Sequence, residues 1–357
     1  MASPELSSDT IFKILTQITS LKSLDTCKVV SKEWKKMIYE SSFTSIHCEG
    51  TKIKSGYFIQ DIRHNEYVSK FVSCDSTLPK ECLPKKVKIL ACASNQGILC
   101  CEKQLGKQQC RYYVCIPMTR EWRALPNPKI RHRTTAMAMI VLRSQPLRFK
   151  IIRLSRRRII EPLKQLSSYR VEIFDSEIRG WKEEQEDVIL PYDEFICTNP
   201  AVSASNALHW LTTEANVLSY DVAKNSFDVF SLPKLVKEDI NGSYRSKHLS
   251  EYQGKLGFTC LTEKGDIDLW TVDDIKIHSW KKEIKSGNIE SLGEVATHPS
   301  PAGFYNSDVA FLTAFCEVGF YMLQDCSFRT VKLNELDDAR EVFRFRSDIE
   351  PANLRLI

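Results

Sequence analysis

The chain has 357 residues, of which 43% are hydrophobic and 27% charged, and 50 basic against 45 acidic residues leave a net charge of +5. This composition is typical of a globular protein and excludes a disordered, collagen-like or coiled-coil chain. The longest apolar stretch, Ala136 to Leu142, is far shorter than the roughly 20 residues of a membrane-spanning helix. The first residues lack the basic and apolar regions of a secretory signal, so we expect an intracellular protein of the nucleus or cytoplasm.

The thirteen cysteines predict free thiols. An odd number without a secretory signal argues against a disulfide framework. No Cys-x-x-Cys motif occurs, and the seven histidines are scattered singly, whereas a zinc site needs closely spaced pairs of ligands. We therefore expect buried thiols that act as small hydrophobic side chains, and neither a metal nor a cofactor.

Three short helices are predicted between residues 6 and 43. Ser8 or Asp9 would cap the first helix and Ser31 the third, and Thr19 and Ser20 would end the first. Apolar residues recur at helical spacing and would give each helix one apolar stripe, which in the second helix would face inward. The stripe positions are Ile11, Ile14, Leu15 and Ile18 in the first helix, Leu24, Cys27, Val30 and in part Val29 in the second, and Trp34, Met37 and Ile38 in the third.

From about residue 45 the helical period is replaced by short runs rich in Val, Ile, Phe, Tyr and Trp, which predict β-strands. A weak repeat organises them: a strand, a polar turn, an aromatic residue and a second strand. The aromatic residues are Tyr67, Trp122, Trp181, Phe227, Trp280 and Phe328. Their spacing is close to the length of a propeller blade, about 40–50 residues.

We therefore predict an α+β protein in which a small helical module precedes an all-β, six-bladed propeller. Each repeat would be a hairpin whose aromatic residue packs between neighbouring sheets. A run of hairpins in a β-sandwich is the alternative.

The helical module, residues 1–45, resembles the F-box, through which substrate receptors bind the Skp-type adaptor of cullin-RING (SCF) ubiquitin ligases. The residues that carry this resemblance are Leu6, Asp9, Ile11, Ile14, Leu15, Lys22, Ser23, Leu24, Val30, Lys32, Trp34, Ile38 and the Ser41-Ser42-Phe43 ending. The sequence departs from the family where Ser7 replaces the usual Pro and Lys13 the usual acidic residue, and where one extra residue precedes Lys22.

The second part, residues 46–357, resembles the plant F-box-associated domain, a kelch-like propeller that follows such F-boxes. Five ordered segments carry this resemblance, and each is weak alone. They are residues 95–101, 113–126, 169–176 with Trp181, 207–211, and 254–258 with Asp268-Leu269-Trp270 and residues 280–283.

These resemblances imply a non-catalytic substrate receptor that binds a Skp-type adaptor, and through it the cullin and RING subunits, and presents an unidentified protein target on the propeller. The implied adaptor-binding residues are Leu6, Ile11, Ile14, Leu15, Leu24, Val30, Trp34 and Ile38. Leu6 and Ile11 are the expected direct contacts, and Trp34 is expected in the core of the module. Two alternatives stay open: the apolar stripes only pack the module on the propeller, or the chain is a stand-alone propeller scaffold with a degenerate F-box.

A basic stretch from Lys129 to Lys164 contains eleven basic residues and one acid, Glu161, so that the rest of the chain has a net charge of −5. It is densest at Arg153, Arg156, Arg157 and Arg158. It would be a nuclear import signal or a patch for an acidic target or nucleic acid, or simply a solvated strand end and loop between blades. Basic and aromatic residues are not interleaved there, which disfavours nucleic acid.

Motifs of catalysis are missing from the sequence: we find no glycine-rich phosphate loop, no Gly-x-Ser-x-Gly and no His-Glu-x-x-His. His209 lies in an apolar run beside Trp210, and we expect it packed in a strand. The sequence predicts no enzymatic activity, and it does not identify the target.

Overall fold

The structure of the chain, a computed structural model, describes residues 6–19, 21–40, 43, 46–47, 53–74, 77–78, 82–106, 109–129, 133–143, 146–157, 166–239, 242–274, 278–286, 289, 299–333, 336, 341–347 and 354. Within these residues a helical head, which comprises the described residues from 6 to 47, precedes a ring of six β-sheets. This architecture confirms the predicted fold class.

The head contains helices α1 (Ser8–Thr16), α2 (Leu21–Val30) and α3 (Lys32–Tyr39). Ser31 caps α3 as predicted, because its hydroxyl accepts the backbone N–H of Trp34 at 3.0 Å. The cap of α1 is one residue earlier than predicted: Ser7 Oγ accepts the backbone N–H of Thr10 at 3.3 Å. Each cap satisfies a donor that the first turn of a helix leaves without a partner.

A small core joins the three helices. Leu15, Leu24, Ile38 and Phe43 are its buried members, and side chains such as Trp34 pack around them. The head extends past the predicted boundary at residue 45, because a ring nitrogen of His47 lies 2.8 Å from the carbonyl oxygen of Ile18, and its ring stacks on Phe43.

The sheets are the blades of a propeller, and blades 2 to 6 are each built from strands that follow one another in sequence. From the axis outward, blade 2 contains β3 (Val87–Ala93), β4 (Ile98–Gln104), β5 (Cys110–Ile116) and β6 (Glu121–Ala124). Blade 3 contains β7 (Ala136–Arg143), β8 (Arg148–Arg156), β9 (Leu166–Asp175) and β10 (Gly180–Glu183), with β11 (Val188–Pro191) beside β9. Blade 4 contains β12 (Val202–Ala204), β13 (Ala207–Leu211), β14 (Asn216–Asp221) and β15 (Ser226–Ser231).

A four-residue helix, α4 (Lys234–Lys237), leads from blade 4 to blade 5. Blade 5 contains β16 (Tyr244–Tyr252), β17 (Lys255–Thr262), β18 (Ile267–Asp274) and β19 (Ser279–Ser286). Blade 6 contains β20 (Ser300–Phe304), β21 (Val309–Ala314), β22 (Glu317–Met322) and β23 (Phe328–Lys332).

Blade 1 closes the ring with strands from both ends of the propeller. It contains β1 (Ser55–Arg63), β2 (Glu66–Val72) and, innermost, the late strand β24 (Glu341–Arg346), which pairs antiparallel with β1. Phe343 and Phe345 of β24 are buried against blade 2. The two ends of the propeller are thus held together by a hydrogen-bonded ladder and by apolar packing, a feature that the repeat did not predict.

The predicted aromatic residues all lie at the start of the outermost strand of their blade. Trp181, Phe227, Trp280 and Phe328 pack between neighbouring blades as predicted. The indole N–H groups of Trp181 and Trp280 each donate to a backbone carbonyl of the preceding blade, at 2.7 and 2.9 Å. Trp122 differs, because half of its surface is exposed.

The head is fixed to the propeller through the end of α3. Both the backbone N–H and the hydroxyl of Ser307, in the β20–β21 turn, donate to the carbonyl oxygen of Tyr39, at 3.2 and 2.7 Å. The Tyr39 hydroxyl also occupies the space beside Gly254, which has φ +79° and where a Cβ would lie 2.9 Å from that oxygen. We call the propeller face with these turns the head face and the opposite one the free face.

The twelve cysteines that the structure describes are free thiols. Four of them are buried, six are partly buried, and Cys316 and Cys326 are exposed, so the expected burial holds only in part. In the described part of the chain, no helix is both long and apolar enough to span a membrane.

Candidate functional site

The head exposes apolar side chains that its own core does not use. Leu6 is 58% exposed, Ile14 49% and Val30 61%, and Val29, which was expected to face partly inward, is 86% exposed. The prediction that Val30, and in part Val29, face inward is therefore wrong, because α2 turns these side chains to the surface. Large exposed apolar side chains on so small a unit are typical of a surface that a partner covers.

Three of the predicted adaptor-binding residues, Leu15, Leu24 and Ile38, lie inside the head with at most 4% of their surface exposed. A side chain without exposed surface cannot contact a partner directly. These residues instead hold the helices in place, so their assignment as contacts is corrected. Ile11 and Trp34 are partly buried against the same core, which places Trp34 where it was expected.

The free face carries exposed apolar residues at the tips of its loops. Leu105, Phe195, Leu235 and Phe315 are between 37% and 66% exposed. They come from the β4–β5 turn, the β11–β12 connection, α4 and the β21–β22 turn, all of which reach the free face. The sequence did not lead us to predict these residues. Leu105 next to Gly106 could have indicated one of them, because an apolar residue beside a turn residue is expected at a loop tip.

The basic stretch is not a uniform surface patch. Arg153 has 1% of its side chain exposed and forms an ion pair inside blade 3 with Glu172, its register partner across the β8–β9 pair. Its Nε donates to Thr134 Oγ1 at 2.9 Å. The proposed surface role of Arg153 is therefore corrected, because its charge is neutralised within the blade.

The next two arginines also bind their own blade. Arg156 stacks on the Phe195 ring, 4.6 Å from its centre, and donates to a serine hydroxyl. Arg157 donates to both carboxylate oxygens of Asp187. Burial opposes ionisation of Asp187, but hydrogen bonds from Arg157 and a serine outweigh it and lower its pKa. Arg158 lies outside the described residues, so a binding role for the stretch stays a prediction.

The described ranges give no support to a metal site. They contain no group of three or more His, Cys, Asp or Glu side chains that could hold a metal ion. His209 is fully buried in β13, as predicted, and burial lowers its pKa to about 4. A histidine that is neutral and sealed from solvent serves packing.

The chain is similar to known proteins over most of its length. Residues 44–348 match the family described as the F-box associated beta propeller domain. The F-box protein At5g41720 of Arabidopsis thaliana is 36% identical over 143 residues, which cover 36% of this chain and 75% of that protein. The F-box protein At5g49610 of the same plant is 25% identical over 285 residues, 76% of each chain.

Among solved structures, TolB from Acinetobacter baumannii aligns with a TM-score of 0.48 and 13% sequence identity, over 87% of this chain and 72% of TolB.

Proposed function

Because this chain belongs to the family of plant F-box proteins with an associated β-propeller, we propose that it is a substrate receptor of an SCF-type ubiquitin ligase. The head would bind a Skp-type adaptor, and through it cullin and RING subunits, in the nucleus or cytoplasm. The observation that carries the proposal is the uncovered apolar surface of the head, at Leu6, Ile14 and Val30, on a unit fastened to the propeller.

The propeller would supply the target-binding surface on its free face. The head occupies part of the opposite face through Tyr39, and the exposed loop tips Leu105 and Phe315 lie on the free face. Loops on a rigid scaffold are where binding residues concentrate in proteins.

The chain would perform no covalent chemistry itself. It would accelerate ubiquitin transfer by holding a target lysine near the charged conjugating enzyme, which makes the encounter effectively intramolecular.

Replacement of the usual Pro by Ser7 is the strongest sequence argument for a head that no longer binds the adaptor. The Ser7 hydroxyl caps α1, and the helix forms from Ser8 onward. This local structure supports a head that is folded for binding.

Co-purification of the full chain with a plant Skp-type adaptor tests the proposal. We expect a stoichiometric complex that an Ile14→Asp/Val30→Asp variant loses, because two charges would then enter an apolar interface. Ile178→Asp is the matched control, since Ile178 is equally exposed on the propeller at 64%. If the folded wild-type chain does not bind, the scaffold alternative replaces this proposal.

The target surface needs a separate measurement. Proteins that the adaptor-bound complex captures from plant extract should be lost with Leu105→Asp/Phe315→Asp and retained with Ile178→Asp. Equal capture by both variants would contradict a target site on the free face.

A further inference from the structure

A chamber of about 290 Å³ opens at the mouth of the propeller axis, beneath the head. Every blade contributes a strand end or turn to its wall, and Lys28 and Tyr39 of the head line it as well. A narrower cavity of about 60 Å³ continues inward, with Arg344 and Glu251 lining both. The two cavities are therefore neighbours along the axis.

The wall of this chamber has an excess of positive charge. Arg344 and Arg346 lie two residues apart on β24 and so project to the same side of the strand. Lys28 adds a third cation from the head, its ammonium 5.0 Å from the centre of the Tyr39 ring. The only acid among the described lining residues is Glu251, whose carboxylate pairs with Arg344 and accepts the backbone N–H of Gly254 at 2.5 Å. Three cations against one acid give this described lining a net positive charge.

Several hydrogen-bonding groups in this space lack a protein partner. The Nε of Arg346 is buried without an acceptor, and so are the hydroxyls of Tyr57 and Ser250 along the inner cavity. Tyr57 and Ser250 are 2% and 5% exposed. Buried polar groups without a partner cost free energy, which an occupant with acceptor oxygens would offset.

The pKa shifts of nearby basic groups agree with an excess of positive charge around the chamber. Burial lowers the pKa of Arg344, and the nearby charge of Arg346 lowers it further. On the head, burial lowers the pKa of Lys35, with further repulsion from Lys255 and Lys28. Like charges brought together in a partly desolvated place are stabilised by an anion.

We propose that the axial chamber binds a small anion with two or more phosphate or carboxylate groups, held by Arg344 and Arg346 from the propeller and by Lys28 from the head. The volume is at the lower end of small-molecule sites, roughly 300 Å³, which suits a small anion. Because the head forms part of the wall, the bound anion ties the head to the propeller. The proposal is independent of adaptor binding.

Calorimetric titration of the full chain at physiological salt tests the site, with inorganic tripolyphosphate and citrate as separate probes that distinguish phosphate from carboxylate chemistry. We expect saturable one-to-one binding of at least one probe. Arg346→Gln should weaken it by about tenfold or more, the usual effect of losing a charge-assisted hydrogen bond. Lys28→Gln should weaken it severalfold, and the matched control Arg111→Gln, in blade 2, should not change it.

Circular dichroism of each variant checks folding; if Arg346→Gln does not fold, the wild-type and Lys28→Gln titrations decide. The absence of saturable binding at millimolar concentration of either probe would overturn the proposal, as would equal weakening by Arg111→Gln. Wild-type affinity in Lys28→Gln would overturn the bridging of head and propeller.

Discussion

Replacement of Arg153 by Met should destabilise the propeller far more than replacement of an exposed arginine. Arg153 and Glu172 face each other across the β8–β9 pair, and their side chains are 1% and 4% exposed. The substitution leaves the Glu172 carboxylate buried without its cation. Breaking such a pair costs ~3–5 kcal/mol.

The hydrogen bond from Arg153 to Thr134 changes this magnitude little. Its Nε donates to Thr134 Oγ1 at 2.9 Å, but that hydroxyl also lies 3.0 Å from the Tyr112 hydroxyl and keeps a partner. The double variant Arg153→Met/Glu172→Met removes both charges together. It should be within about 1 kcal/mol of the wild type or more stable, because burying an ion pair costs about as much desolvation as it gains in attraction.

Urea unfolding followed by tryptophan fluorescence measures these free energies. Arg111→Met is the control for an exposed arginine, which should change the unfolding free energy by no more than about 0.5 kcal/mol. A loss below about 1 kcal/mol in Arg153→Met would refute the reasoning, and Arg153 would then be the solvated residue that the basic stretch suggested. A double variant as unstable as the single one would show that the loss comes from packing and not from the orphaned charge.

Trp181→Phe removes an indole N–H that donates to a carbonyl of blade 2 and should lower the unfolding free energy by about 1–2 kcal/mol. Trp122→Phe, at a half-exposed residue, should change the unfolding free energy by less than about 0.5 kcal/mol. Equal losses for the two variants in urea unfolding would contradict this difference. Burial lowers the pKa of His209 to about 4. Between pH values of roughly 6.5 and 4, the unfolded chain therefore takes up a proton at this residue that the folded chain does not. This group alone should reduce the unfolding free energy by about 1.4 kcal/mol per pH unit of acidification. His209→Phe should show a shallower fall in unfolding free energy between neutral pH and about pH 5, and an unchanged slope would argue against a buried neutral histidine. Truncation after residue 340 removes the strand that closes blade 1 and should abolish cooperative thermal unfolding; a transition as sharp as that of the full chain would show that closure is dispensable.

Local patterns in the sequence predicted much of this architecture. Trp181 and Trp280 indicated the outer strands of their blades because the blades of a propeller pack in the same way around its axis. The sequence therefore repeats an aromatic residue at the same position of each blade. The cap at Ser31 and the apolar stripe of α3 could also be predicted from the sequence, since a cap and a helical period involve residues only three or four positions apart. The ordered family segments extended the same information to function.

The candidate surfaces could be predicted only in part. Leu6 was expected to be a contact residue and is exposed, whereas Leu15 was expected to be a contact and is buried. Val30 was expected to face inward and is exposed. A helical stripe indicates that its residues share one face of a helix, but it does not indicate whether that face is buried. In a head this small, several helix faces are apolar. Which face is covered depends on how α1, α2 and α3 cross, which one helix alone does not determine.

The sequence by itself determined the two-part organisation, the six blades and the family, because these depend on periodicity and on residue types in a fixed order. Tertiary structure alone decided that β24 closes blade 1 beside β1, since that pairing joins residues about 290 positions apart. It also decided that the charge of Arg153 meets Glu172 inside blade 3 and that Arg344 and Arg346 converge with Lys28 at the axis. Charge is visible in a sequence, but its partner and its burial depend on which distant strands the fold brings together.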